Sequence, residues 1–100
     1  RRDMVVGLLN EAPGVRCPVP EGAFYVFPDI RGVLGKTSAG GKLIDTDEAF
    51  CLALLEEQGV ATVHGAAFMF PGHFRISYAT DDDSLRDACG RIRAFCEGMR

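Results

Sequence analysis

The spacing of apolar residues along the 100-residue chain predicts three helices. Residues 3–11 carry pairs of apolar side chains one turn apart, the stripe of a helix packed on one side. A second helix is predicted from Asp45 to about residue 58, with Asp45 and Glu48 as a capping box and Gly59 suited to end it. A third, over about 84–98, gathers its apolar residues in one stripe. The residues expected to face the core from the last two helices are Phe50, Cys51, Leu54, Leu55, Leu85, Ala88, Cys89, Ile92, Phe95, Cys96 and Met99.

Four short strands are predicted between these helices. Residues 23–27 form a continuous apolar and aromatic run, which is typical of a strand buried on both faces. Residues 74–79 alternate apolar with small or polar side chains, so one face should meet the core while the other carries an arginine. Residues 15–17 and 60–63 supply two further strands. The connection from 60–63 to 74–79 is short enough for antiparallel pairing.

Two connecting segments differ in character. Residues 29–45 form a long polar excursion, whose part 34–42, rich in glycine and lysine, is predicted to be a mobile surface loop. Residues 64–73 form an apolar loop, and because loops face water, an apolar one implies a partner surface or a ligand. The element order indicates an α+β fold class: a small, mainly antiparallel sheet with helices packed against it.

Composition narrows the class of protein. The chain is 47% hydrophobic and 25% charged, which is ordinary for a globular domain. No apolar run approaches the roughly 20 residues of a membrane span, and a net charge of −3 argues against a nucleic-acid partner. The four cysteines form no C-x-x-C pair, so we expect them to be reduced core residues of a cytoplasmic protein. The chain starts without Met inside a predicted helix, which suggests a piece of a longer protein.

The candidate chemistry centres on Arg75. An arginine fixed on a strand suits bidentate binding of a carboxylate or phosphate, although a strand arginine also commonly reaches to solvent. His64 and His73 are nine residues apart and make a poor metal site, so none is predicted. Cys17 has no base near it in sequence, and Lys36 and Lys42 lie in the polar loop, so no catalytic residue is predicted. We therefore expect this chain alone to be inactive.

Several ordered motifs carry a family resemblance. Residues 20–28 (PEGAFYVFP), 59–63 (GVATV), 65–68 (GAAF) and 74–79 (FRISYA) resemble, in this order, the C-terminal small domain of class I/II aminotransferases of the aspartate aminotransferase type. The resemblance implies the small domain of fold-type I pyridoxal-phosphate enzymes. Residues 1–13 would end the interdomain helix and 14–100 would form the small domain, with the large cofactor-binding domain absent from this chain.

The resemblance also implies a function. The intact enzyme would move an amino group between an aspartate-like amino acid and a 2-oxo acid on pyridoxal phosphate, with none bound to this chain. Arg75 would bind the substrate α-carboxylate, while the imine-forming lysine would lie upstream. Possible active-site border residues are His64, Gly65, Phe68 and Tyr25. The partners would be the substrates, the protein's own large domain and a second subunit in a homodimer.

Two positions depart from the family pattern, and two alternatives remain open. Before Gly65 the family usually has Pro where this chain has His64, and after Phe68 it has Gly where this chain has Met69. These departures leave the preferred amino acid open. The chain could belong to a related pyridoxal-phosphate lyase or synthase, because a fold does not fix a reaction. It could also be a free-standing amino-acid-binding module, although the interrupted first helix and the apolar loop speak against that.

Overall fold

A computed structural model describes residues 1–19 and 24–100 of the chain and contains the three expected helices. They are α1 (Arg2–Leu9), α2 (Asp47–Gln58) and α3 (Asp82–Glu97). α1 packs against α3, and α3 in turn packs against α2. α3 buries Leu85, Cys89, Ile92, Phe95 and Cys96, as the apolar stripe predicts.

The beginning of α2 differs from the prediction. Thr46, not Asp45, is the N-cap, and its Oγ1 accepts a hydrogen bond from the Ala49 N–H at 3.0 Å. The capping box at Asp45 was therefore wrong. The later start directs Asp47 into the interior, where its side chain finds partners described below. At the other end, Gly59 has φ 69°, which confirms the left-handed termination.

The buried face of α2 was also partly mispredicted. Leu55 is 48% exposed, whereas Ala53 is buried. The reason is that α2 contacts the hairpin of residues 36–44, whose Leu43 lies near Ala53, as well as the sheet and α3. Its buried stripe is therefore rotated towards the hairpin.

Within the described residues, five short strands lie between the helices. They are β1 (Tyr25–Val26), β2 (Lys36–Thr37), β3 (Leu43–Ile44), β4 (Val63–His64) and β5 (Phe74–Ser77). β1, β5 and β4 form an antiparallel sheet in that order, with β5 in the centre. The pairing of β4 with β5 confirms the predicted antiparallel connection, and the mainly antiparallel α+β fold class is confirmed.

The strand around residue 25 is buried on one face only. Val26 is fully buried, but Phe24 is 68% and Tyr25 is 40% exposed. The prediction of burial on both faces was wrong because the core covers only the side of the sheet that carries Val26, Phe74 and Ile76. Ala23, the predicted start of this strand, lies outside the described residues.

Two other strand predictions also changed. The strand predicted over 15–17 is reduced to a single bridge between Arg16 and Asp29. The one predicted over 60–63 starts only at Val63 and includes His64.

The predicted mobile loop over 34–42 is instead an ordered hairpin. β2 and β3 pair antiparallel, and Ser38 between them is fully buried. Its hydroxyl donates to Glu57 Oε2 at 2.7 Å, and the Gly40 N–H donates to Glu57 Oε1 at 3.0 Å. The prediction was wrong because the acceptor that orders this polar segment lies on α2, nineteen residues along the chain from Ser38.

The core forms one contiguous cluster of side chains from the helices and the sheet, with Phe50 stacked on Phe74 at 5.4 Å between ring centroids. None of the helices in the described ranges has the length and apolar composition needed to cross a bilayer.

Candidate functional site

Arg75 lies at the centre of the candidate site, on the middle strand of the sheet. Because side chains alternate along a strand, Arg75 and Ser77 point away from the face that Phe74 and Ile76 bury. The cross-strand pairs place Tyr25 opposite Ser77 and Val63 opposite Arg75. These side chains therefore share the open face of the sheet.

Two aromatic rings hold the Arg75 guanidinium. Its Cζ atom lies 4.4 Å from the ring centroid of Tyr25 and 4.4 Å from that of Phe68. Tyr25 comes from β1 and Phe68 from the turn after β4, so the rings approach from the two sides of β5. Each distance is within the range of a cation–π interaction. The two rings therefore flank the guanidinium.

Within the described residues, the N–H groups of Arg75 have no carboxylate partner within 4.0 Å. Arg31 shows the contrasting case. Its guanidinium donates to both oxygens of Asp29, at 2.7 and 3.1 Å, and this hydrogen bonding lowers the pKa of Asp29 to about 2. A planar guanidinium binds carboxylates in this forked geometry. The N–H groups of the Arg75 guanidinium are suited to the same forked pair of hydrogen bonds with the carboxylate of a ligand.

The turn that carries Phe68 requires a glycine at its start. A 3₁₀ turn runs over Gly65–Phe68. The Gly65 N–H donates to the His73 carbonyl at 2.7 Å, and the Phe70 N–H donates to the Gly65 carbonyl at 2.8 Å. A Cβ at Gly65 would lie 2.1 Å from the Phe70 carbonyl oxygen, which is too close for any side chain. The two backbone hydrogen bonds of Gly65 therefore close the loop, and they fix the position from which the Phe68 side chain projects.

Met69, directly after Phe68, has a left-handed backbone with φ 62° and is the only non-glycine residue with positive φ in the described ranges. This is the position at which the sequence resemblance expects Gly. The structure gives the physical reason for that expectation, because glycine adopts this conformation without steric cost. The Met69 side chain is 92% exposed.

Sequence analysis missed one residue of this site, Asp47. Only 5% of Asp47 is exposed, and its Oδ2 accepts the Ala66 N–H at 2.8 Å. Its Oδ1 accepts the Glu48 N–H at 2.8 Å. An acidic residue in a first helical turn is common, so the sequence gave no sign of the bond to Ala66, which joins residues nineteen positions apart.

His64 turns to the face of the sheet opposite Arg75, whereas His73 packs against Phe70 with 5.8 Å between their ring centroids. His64 pairs with Phe74 across the sheet and so belongs to the opposite face, where its Nε2 lies 3.5 Å from Glu48 Oε2. His73 has its Nδ1 3.1 Å from the Pro71 carbonyl. In the part of the chain that the structure describes, no three acidic, histidine or cysteine side chains are grouped as metal ligands would be.

The potential nucleophiles also lie elsewhere. Lys36 and Lys42 are exposed on the hairpin, with Lys42 Nζ 3.7 Å from Glu56 Oε2. All four cysteines are buried and free. Burial raises the pKa of Cys89 to about 11 and that of Cys96 to about 12. Cys17 also reaches about 11, through burial and then the nearby Cys89. Such thiols stay protonated at neutral pH and are poor nucleophiles.

Further aromatic side chains extend the surface around Phe68. The Phe27 ring lies 6.2 Å from Phe68, edge to face, and 5.2 Å from Phe70. Phe70 is 51% exposed. A groove of about 480 Å³ lies between β5 and α3, and its lining includes Ile76 and Ser77 but none of Tyr25, Phe68 and Arg75.

Comparison with known families gives a match over most of the chain. A family model described as "Aminotransferase class I and II" matches residues 1–92. The aspartate/prephenate aminotransferase of Cereibacter sphaeroides is 68% identical over 99% of this chain, and the aspartate aminotransferase of Rhizobium meliloti strain 1021 is 53% identical over 99%. These matches cover 25% and 24% of the two relatives, so the chain spans about a quarter of their length.

Solved structures agree with this match. A crystal structure of the aspartate aminotransferase from Rhizobium meliloti superposes on 99% of the chain with a TM-score of 0.96 at 50% identity. An alanine aminotransferase from Pyrococcus furiosus superposes on 96% with a TM-score of 0.81 at 33% identity. The chain covers 25% and 23% of those two structures.

Proposed function

The chain belongs to the class I and II aminotransferases, and from that premise we propose that it supplies the substrate-carboxylate-binding part of an aspartate-type aminotransferase. In this proposal, residues 14–100 form the small domain and residues 1–13 end the helix that leads to the large domain. The intact protein transfers an amino group from an amino acid to a 2-oxo acid. Aspartate and prephenate, which the names of the relatives mention, are the proposed substrates.

Enzymes of this family use pyridoxal phosphate, which supplies an electron sink for the reaction when it is bound. The described residues do not fit a site for it. Lys36 and Lys42 are exposed on the hairpin and are not desolvated as an imine-forming amine would be. In our proposal the cofactor is held by the rest of the protein, and this chain contributes contacts to the substrate.

The observation that carries the proposal is the setting of Arg75. Its guanidinium is fixed on a central strand between Tyr25 and Phe68, and its edge has no carboxylate partner among the described residues. A bidentate bond from this edge to the α-carboxylate would fix the orientation of the amino acid, and with it the direction of the bonds at its α-carbon. Arg75 is half-buried beside the two rings, and an ion pair is stronger away from bulk water than in it.

Exposed apolar side chains close to Phe68 support the proposal that other protein elements cover the Arg75 side of the sheet. Met69 and Phe70, which directly follow Phe68 in the chain, are 92 and 51% exposed. Large apolar side chains gathered on one face commonly mark a surface that another element covers. The large domain and a second subunit of a homodimer are the proposed partners.

The test compares Arg75→Lys and Arg75→Ala in the full-length protein. Initial rates with L-aspartate are expected to give a kcat/KM lower by roughly 30- to 1,000-fold for Arg75→Ala, because losing one partner of a desolvated charge pair costs about 2–4 kcal/mol. Arg75→Lys keeps the charge but not the fork and should lose less. Arg93→Ala is the matched control, since Arg93 is exposed and its partners among the described residues are Glu11 and Glu97 alone.

A second ligand isolates the α-carboxylate. β-Alanine is aspartate without that group, so its inhibition constant should be unchanged in the Arg75 variants. Equal losses for aspartate and β-alanine would show that Arg75 does not contact the α-carboxylate. An unchanged kcat/KM for aspartate in Arg75→Ala would refute the proposed role altogether.

A further inference from the structure

Asp47 is a buried carboxylate without a basic partner among the described residues. Both of its oxygens accept backbone N–H groups, one from its own helix at Glu48 and one from Ala66. Burying a carboxylate is costly unless its hydrogen bonds are satisfied. The amides at the start of α2 and the N-terminal end of the helix dipole offset this cost.

Capping α2 does not account for Asp47. Thr46 already caps the helix through the bond from the Ala49 N–H to its hydroxyl. What distinguishes Asp47 is the bond to Ala66, which ties the first turn of α2 to the 3₁₀ turn Gly65–Phe68. This turn ends at Phe68, whose ring lies over the Arg75 guanidinium.

We propose that Asp47 is a positioning residue for substrate binding. It holds the turn Gly65–Phe68 against α2, so that the Phe68 ring stays beside the Arg75 guanidinium. The N–H groups of Arg75 then keep the orientation in which they bind the substrate carboxylate. The carboxylate acts through Phe68 and does not contact the substrate. The proposal rests on the proposed function of Arg75. It adds Asp47 as the residue that holds the Phe68 ring in place beside Arg75.

The experiment uses the full-length protein with Asp47→Ala, Asp47→Asn and Thr46→Ala. Thr46→Ala is the matched control because it weakens the same end of α2 without touching Ala66. Hydrogen exchange of the 65–68 amides should be faster in Asp47→Ala than in either the unaltered protein or Thr46→Ala. KM is the kinetic readout, since it reports folded enzyme even where a variant is less stable.

We expect Asp47→Ala to raise the KM for L-aspartate by about 5- to 30-fold, the range for losing one desolvated cation–π contact. Thr46→Ala should change it by less than about twofold. Asp47→Asn keeps one acceptor oxygen for the Ala66 N–H and should rescue most of the effect. In a Phe68→Ala background, Asp47→Ala should add less than about a twofold change, because residues that act through one another are not additive.

Two results would overturn the inference: unchanged exchange at 65–68 in Asp47→Ala, or equal KM increases in Asp47→Ala and Thr46→Ala. The Arg75→Ala variant, measured in parallel, separates this failure from that of the proposed function. If Arg75→Ala raises KM and Asp47→Ala does not, only the role of Asp47 is wrong. If Arg75→Ala leaves kcat/KM unchanged, the proposed function fails and the inference fails with it.

Discussion

Replacing Gly65 by alanine should strongly destabilise the fold, although it adds only one methyl group. The new Cβ would lie 2.1 Å from the Phe70 carbonyl oxygen and 2.7 Å from that of His73. Both obstacles are backbone atoms, so the loop itself must move. Movement also weakens the two hydrogen bonds that Gly65 makes to His73 and Phe70.

The magnitude follows from these two effects. Forcing a backbone shift in a packed region costs about 1–3 kcal/mol, and each of the two weakened hydrogen bonds adds about 0.5 kcal/mol. We therefore expect Gly65→Ala to lower the free energy of unfolding by about 2–4 kcal/mol. That is a large share of the ~5–15 kcal/mol that a domain of this size has in total.

Gly90→Ala serves as the control, because it should change the free energy of unfolding in the opposite direction. Gly90 is exposed in the middle of α3, and a Cβ there would meet nothing within 4 Å. Removing a glycine from a helix interior stabilises by about 0.5–1 kcal/mol.

The assay is urea unfolding of the 100-residue chain, followed by circular dichroism. With a denaturant dependence of about 1–3 kcal/mol per molar urea, a loss of about 2–4 kcal/mol lowers the midpoint for Gly65→Ala by about 0.7–4 M. Gly90→Ala should raise it. A midpoint for Gly65→Ala at or above that of the unaltered chain would show that the loop does not depend on a bare backbone at this residue.

Two further predictions concern the backbone at Met69 and the acid stability of the Asp29–Arg31 pair. Met69→Gly should leave the free energy of unfolding unchanged or raise it by up to about 1 kcal/mol, because relief of the left-handed strain outweighs the entropy that glycine adds to the unfolded chain. Met69→Val should lower it by about 1 kcal/mol or more, and the reverse order in urea unfolding would contradict the strain. The Arg31 guanidinium holds the folded pKa of Asp29 at about 2, below its unfolded value near ~3.9, so the stabilisation is complete above about pH 4 and is lost as the pH falls towards 2. Arg31→Gln should therefore lose less thermal stability than the unaltered chain between pH 5 and pH 2, and parallel losses in the two proteins would refute this coupling.

The sequence was a good guide where one face of an element decides its packing. The stripe of α3 was predicted because Leu85, Ile92 and Phe95 all meet the same core. The alternation of β5 likewise predicted that Arg75 stands on the open face. In both cases the regular repeat of the element, about 3.6 residues in the helix and two in the strand, determines which side chains are buried.

Prediction failed where distant residues supply the deciding contact. The hairpin is ordered by Glu57 and the turn Gly65–Phe68 by Asp47, and each bond spans nineteen residues. The run around Tyr25 was assigned to the interior because hydrophobicity alone does not distinguish a core ring from one that covers a guanidinium. The family resemblance named Tyr25 and Phe68 as border residues, but only the three-dimensional structure places them over Arg75.

The position of Arg75 on the middle strand has an evolutionary consequence. A central strand is constrained by neighbours on both sides, so its residues are costly to shift. The two rings beside Arg75 come from an outer strand and a turn, which accept substitution more readily. In such a protein, the residues at positions 25 and 68 can be substituted one at a time while the Arg75 guanidinium stays where it is. Under our proposal, such drift would change which side chains are accepted while the requirement for an α-carboxylate is inherited unchanged.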